Sequence, residues 1–384
     1  SSTPTSTISL RAAWSERGRA RGFLFGRSLE RCIEDGRDNI LLLRLLAALL
    51  VVLGHSFVLV GDLDAAGDPM HILLPRTHAH LVGVAMFFTI SGFLITLSYQ
   101  RKPDPGRFLR ARFLRLWPAL AVVVAVTAFV LGPILSTLPL HGYFASTDGG
   151  SSAFDYFSRN LSLFWQRQTL PGVFASNPVP RVVNGSLWTI PYEAAMYLCV
   201  AAVGAAGLLR FPRLASALVV LAIAIVVVWP SYGGGPYPRS LALLGLQLGA
   251  CFGAGSIACL LRRHVPVSSA IMLALALVAL AARETPLMWL AVVYFVFWFA
   301  YVPKLPSVPA GLDLSYGTYL WAFPLQQAIV AVGHVTAPFV LFAIATPIAL
   351  AVAAASWLCI ERPALRLKQS RPAPDAADGD AVAR

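Results

Sequence analysis

The stretch Asn39–Val60, "NILLLRLLAALLVVLGHSFVLV", is apolar almost throughout. About 20 such residues in a helix cross the hydrocarbon of a bilayer, and the pattern recurs along the chain. Runs at 39–61, 80–99, 112–134, 186–208, 212–230, 238–261, 266–282, 286–303, 312–333 and 335–360 each predict a span. The expected fold is all-α, a polytopic membrane helix bundle of about ten transmembrane helices. Pro324 and Pro347 fall inside two of the runs, where a missing N–H and a bulky ring kink a helix.

The polar segments alternate in charge. Seven arginines between Arg11 and Arg37 precede the first run, and Arg101, Lys102, Arg107, Arg110, Arg112 and Arg115 follow the second. Arg210 with Arg213, Arg262 with Arg263, Lys304 and the C-terminal tail continue the series. Only Arg76, Arg159, Arg167, Arg181, Arg239 and Arg283 fall on the other side. Cytoplasmic loops collect Lys and Arg, so both termini are expected to be cytoplasmic and the protein a multi-pass protein of the inner membrane. Residues 1–38 read as a basic cytoplasmic tail, 39–361 as the transmembrane domain with a long outer loop at 135–185, and 362–384 as a cytoplasmic, partly disordered tail. The first 38 residues lack the apolar core of a signal peptide, so the first span is expected to direct insertion.

Composition agrees. Of 384 residues 57% are hydrophobic and 12% charged, against about 25% charged in soluble proteins, and mean hydropathy is +0.70. The net charge of +12 follows membrane topology rather than one basic face, so no nucleic-acid partner is expected. The five cysteines lack metal or redox spacing, and neither a disulfide framework nor a metal site is expected.

Arg44 and His55 interrupt the first run, and ionisable groups in hydrocarbon are costly and commonly functional. Eleven residues apart, they share one helix face about 16 Å apart along the axis. Arg44 could snorkel and His55 could pack helices, or the pair could serve a site. Ser91-Gly92 is a small pair in the middle of the second run, and Arg112 with Arg115 stands just before Trp117-Pro118. Such arginines suit a membrane anchor or a phosphate site. Glu193 falls about 9 Å inside its run, where a carboxylate near an imidazole would suit proton abstraction from a hydroxyl. The loop 135–185, with aromatics among Asn, Asp and Arg, would suit stacking on sugar rings.

The segments "RLLAALLVVLGHSF", "FFTISGFLI", "RFLRLWPA", "SLWTIPYEAAMYL", "LSYGTYLWAFPLQQ" and "IERPAL" together resemble the membrane-bound acyltransferase 3 family over about residues 38–368. The resemblance implies transfer of an acyl group, in this family often acetyl, from cytoplasmic acyl-CoA (acetyl-CoA) to a carbohydrate hydroxyl of the envelope or a secreted glycan. It carries the family's arginine–histidine pattern onto Arg44 and His55, its Ser-Gly-Phe motif onto Ser91, Gly92 and Phe93, its basic pair onto Arg112 and Arg115, and its glutamate onto Glu193. On that reading Arg44, Ser91, Gly92, Arg112 and Arg115 bind acyl-CoA. His55 is the base or a transient acyl carrier, and Glu193 orients His55 or the acceptor. Trp188, Tyr192, Tyr316 and Gln326 are candidate acceptor contacts. Two departures stand out. Ala322 replaces a histidine common in the family, and Glu193 is followed by Ala194 rather than a second acid. A transporter or flippase using the same intramembrane groups as a proton or substrate site is the rival reading.

Overall fold

The computed structural model describes residues 26–62, 67–73, 77–146, 152–228, 241–282, 285–306 and 311–367. Each of the ten apolar runs contains a helix. They are α2 (Ile40–Leu59), α4 (Ala79–Arg101), α5 (Pro105–Val126), α8 (Ile190–Ala205), α9 (Pro212–Val228), α10 (Leu241–Leu260), α11 (Ser269–Ala282), α12 (Thr285–Tyr301), α13 (Ser315–Gly333) and α14 (Pro338–Ser356). Short helices α1 (Leu29–Glu34), α3 (Pro69–Leu73), α6 (Leu140–Ala145) and α7 (Ala153–Leu161) lie between or before them.

The expectation of ten spans is met in part. Five helical stretches are long and apolar enough to cross a membrane: Ile40–Leu59, Ala79–Arg101, Pro105–Leu135, Gly185–Ala205 and Pro338–Arg366. Three of these exceed their α-helices because helical turns continue them, a π turn at Thr127–Leu131, a 3-10 turn at Gly185–Thr189 and a π turn at Trp357–Glu361. Four further apolar helices are shorter, within α9, α10, α11 and α12. Helix α13 is long enough but carries Ser315, Thr318, Gln326 and Gln327, all buried among its neighbours. Its polarity is spent inside the bundle.

Helix α4 is the centre, packed between α2 and α10. Small residues set these approaches. A Cβ on Gly92 would lie 1.9 Å from the Phe252 carbonyl oxygen, and one on Gly255 would lie 2.1 Å from that of Thr89. Only glycine admits backbones this close. The same seam is tied by polar contacts, with Thr96 Oγ1 donating to Ser256 Oγ at 3.0 Å.

One end of the bundle gathers the basic residues. Asn39, at the start of α2, donates through Nδ2 to Phe299 O and Pro303 O at 2.9 and 2.8 Å, at the end of α12. Arg262 donates to Gln100 Oε1 at 3.0 Å, joining the ends of α10 and α4. The described part of the N-terminal segment docks on this end. Arg27–Ser28 pairs antiparallel with Pro266–Val267, the one two-stranded sheet among the described residues. Leu29 and Cys32 of α1 are buried against Phe93, Cys259 and Phe297, and Glu30 pairs with Arg263 at 3.0 Å. Residues 1–25 and 368–384 of the two expected tails, with Arg76, Arg239 and Arg283, lie outside the described residues.

The opposite end is capped by the long connection after α5. Tyr143 on α6 is fully buried and donates to Ala128 O at 2.6 Å, within the π turn. Trp117 Nε1 donates to Leu161 O at 3.2 Å. Asp155 binds Arg159 and Arg167 at 2.5 and 3.0 Å. Hydrogen bonding and attraction from these two arginines hold its carboxyl below the usual range. Gln327 of α13 accepts from Asn177 Nδ2 at 2.7 Å and donates to Val179 O and Val182 O at 3.0 and 2.7 Å. The cap is thereby tied to α13.

Candidate active site

Arg44, one turn into α2, lines a narrow pocket between the helices with a cavity volume of about 40 Å³. Its walls are Val84, Phe87, Phe88 and Ser91 from α4, Thr189 and Glu193 at the start of α8, and Tyr316 and Tyr319 from α13. The structure thus brings together Arg44, Ser91, Glu193 and Tyr316 from four helices. The guanidinium of Arg44 lies over the Phe87 ring, 5.7 Å from its centroid. Glu193 accepts a hydrogen bond from the Tyr197 hydroxyl one turn along α8.

The arginines are held from below by Asp313, just before α13. Its Oδ2 lies 3.3 Å from Arg44 Nε and 2.6 Å from Arg115 Nη2. Its Oδ1 accepts from the Ser315 hydroxyl at 2.5 Å and from Ser315 N at 3.1 Å, while Arg44 Nε also donates to Ser315 Oγ at 3.2 Å. Burial pushes the Asp313 carboxyl up, but Arg44, Arg115 and the Ser315 hydrogen bonds outweigh it and hold the group below the usual carboxylate range. Arg115 also lies 3.6 Å from the buried Glu361 and sits over the rings of Tyr316 and Trp357. Two cations therefore share two acids, and neither arginine is an unpaired charge. Arg112 differs. Its Nε is buried without a hydrogen-bond partner among the described residues, and its guanidinium lies over Phe108.

His55 lies apart from that cavity, and is not among the residues lining it. It is buried at 9% exposure, with Phe323 edge-on at 5.0 Å and His80 stacked at 5.3 Å. Its Nδ1 has no hydrogen-bond partner among the described residues. The adjoining turn is locked by Gln326, whose Nε2 donates to Ser56 Oγ at 2.7 Å and Val52 O at 2.9 Å. Gln326 thus acts on the helix that carries His55. Tyr316 donates to Leu116 O at 2.8 Å, Trp188 packs edge-on against Tyr192 at 5.9 Å, and Gly92 serves the α4–α10 contact already described.

Several site residues escaped the sequence reading. Asp313 looks like an ordinary helix-capping acid in "DLSY", and it does cap Ser315 N. Glu361 stands in the quoted "IERPAL", but nothing local to that motif points to Arg115, 246 positions away. Tyr197 could have been found, because it lies four residues after Glu193 and so on the same helix face. No cluster of metal-ligating side chains occurs among the described residues.

Comparison with known proteins places the chain in a family. The chain is 27% identical over 305 residues to an O-acetyl transferase of Shigella phage Sf6, covering 76% of this chain and 85% of that protein. It is 28% identical over 367 residues to nodulation protein 10 of Rhizobium leguminosarum bv. viciae, covering 87% and 95%. No solved structure matches. The family model described as an acyltransferase domain, acyltransferase 3, matches residues 37–358. That range runs from just before α2 into the π turn that follows α14 and contains both the Arg44 pocket and His55. The chain belongs to the acyltransferase 3 family.

Proposed function

We propose that this protein moves an acyl group, acetyl in the first instance, from acyl-CoA at the basic, cytoplasmic end to a hydroxyl of an envelope or secreted carbohydrate at the capped end. The observation that carries the reading is the narrow pocket where Arg44, Ser91 and Glu193 converge between two differently built ends. Its support is the acyltransferase family match and the O-acetyl transferase relative. The inner membrane is the compartment that gives such a chain both substrates.

In this reading Arg112, with an unsatisfied guanidinium nitrogen, makes the direct contact with CoA phosphate. Arg44 and Arg115, balanced by Asp313 and Glu361, build the wall beside it. The pantetheine arm passes Ser91. His55 accepts the proton of the acceptor hydroxyl as its oxygen attacks the acyl carbon; the C–O bond forms as the C–S bond breaks and CoA leaves as the thiolate. Glu193 orients the acceptor from the cavity wall. Trp188 and Tyr192 flank it with ring surface.

The test is O-acetylation of the source organism's surface polysaccharide, read by NMR of glycan from a deletion strain carrying wild type or His55→Ala. Acetylation is expected with wild type and absent with the variant at equal protein level. Normal acetylation in His55→Ala would sink the mechanism. A deletion strain with unchanged acetylation but impaired glycan export would favour a transporter.

A further inference from the structure

Four of the chain's seven histidines stand in single file. His55 stacks on His80 of α4, with centroids 5.3 Å apart and planes 25° apart. His80 stacks on His78 at 5.5 Å and 3°, and His78 on His71 of α3 at 5.2 Å and 10°. The file begins at buried His55 and ends at partly exposed residues on the capped end.

The backbone holds this file firmly. A Cβ on Gly54, next to His55, would lie 2.3 Å from His80 N, so α2 and α4 touch where the first two rings meet. Asp68 accepts from Ala79 N and Met70 N, both at 2.8 Å, fixing the segment that bears the other two rings. His71 Nδ1 lies 3.2 Å from Thr77 O. By contrast the Nδ1 atoms of His55, His80 and His78 are buried with no hydrogen-bond partner among the described residues. Each needs a partner, and a water beside adjacent rings, about 2.8 Å from an in-plane nitrogen of each, would supply one.

The surroundings suit proton passage. The neighbour of His55 on α13 is Phe323, without charge. His80 faces His55 and His78, and His78 faces His71, Asp68 and Asp62. Burial pulls the His78 pKa down, Asp68 pushes it up, His71 lowers it and Asp62 raises it; the net shift is downward. His78 is then neutral near pH 7 and able to take a proton.

We propose that His80, His78 and His71 conduct protons between His55 and water at the capped end of the bundle. The inference rests on the acyl-transfer reading above. As the acceptor oxygen bonds to the acyl carbon, its proton passes to His55. The C–S electron pair leaves with sulfur, and the thiolate takes a proton from solvent on the donor side. His55 then releases its proton through His80, His78 and His71 to solvent. The products are an ester and a thiol, with one proton taken up at one end and one released at the other.

The experiment uses the full chain in proteoliposomes, with acetyl-CoA as donor and deacetylated host polysaccharide as acceptor, at low buffer concentration. His80→Phe and His78→Phe keep a ring in the file but cannot carry a proton. Each is expected to lower kcat about tenfold or more while KM for acetyl-CoA holds, and added 4-methylimidazole should restore much of the lost rate. The same additive should not rescue His55→Ala. Wild-type kcat in both variants, or a loss that imidazole leaves untouched, overturns the path. Wild-type protein that transfers no acetyl group at all instead overturns the acyl-transfer reading.

Discussion

Arg115 Nη2 stands 2.6 Å from Asp313 Oδ2, the same oxygen that Arg44 approaches from another helix. One carboxylate thus fixes the two cations relative to each other. Removing one partner of a buried ion pair typically costs about 3–5 kcal/mol. With Asp313 13% exposed, Asp313→Asn is expected to cost about 2–4 kcal/mol, read by denaturation in detergent. The folded carboxyl is held below its ordinary range, so its contribution is complete above about pH 4 and is lost as pH falls through the folded value. The gap between variant and wild type should be flat from pH 5 to 8 and close only in acid. A gap that widened toward acid would contradict this assignment.

The donor arginines should separate by their partners. Arg112→Gln is expected to raise the Kd for acetyl-CoA at least tenfold with little change in stability. Arg115→Gln should mainly destabilise, because it strands Glu361 and leaves Asp313 with Arg44 as its one cation. Calorimetric titration with acetyl-CoA, alongside melting curves, distinguishes them. Equal CoA affinity in wild type and Arg112→Gln would remove Arg112 from that role.

Glu193 and Tyr197 should be separable too. Tyr197→Phe removes the hydroxyl that donates to Glu193 and is expected to slow turnover a few-fold by freeing the carboxylate. Glu193→Gln keeps an acceptor oxygen for Tyr197 but removes the charge, and should reduce kcat about a hundredfold. Similar modest losses in both would mean that Glu193 acts only through its hydrogen bond.

Gly92→Ala tests the packing at the centre. Its methyl would meet Phe252 O at 1.9 Å, and overpacking of this kind costs about 1–3 kcal/mol or more. Loss of monodisperse protein in detergent is the expected result. A fully stable Gly92→Ala protein would show that α4 and α10 can separate freely.

The helices were legible because burial in lipid demands long apolar runs, which composition alone reveals. Arg44, His55 and Glu193 were visible for the same reason, as charges where charge is expensive. What stayed hidden was pairing across distance. Asp313 and Glu361 sit at helix ends, where acids are unremarkable in sequence, and their meaning comes from Arg115 on another helix. His78 and His80 stand just before and at the start of the 80–99 run, and nothing in that position points to His55 on another helix. The count of crossings was also less legible, since four of the apolar runs form helices shorter than a full crossing.

Helix α13 has a mechanical consequence. Ser315 at its first turn touches Arg44, Gln326 grips the turn beside His55, and Gln327 holds the cap at Asn177, Val179 and Val182. These ties sit at two levels, because Gln326 and Gln327 are adjacent and lie about 16–18 Å from Ser315 along the helix. The turn beside His55 and the anchor of the cap therefore ride together on one helix, the same helix whose first turn meets Arg44.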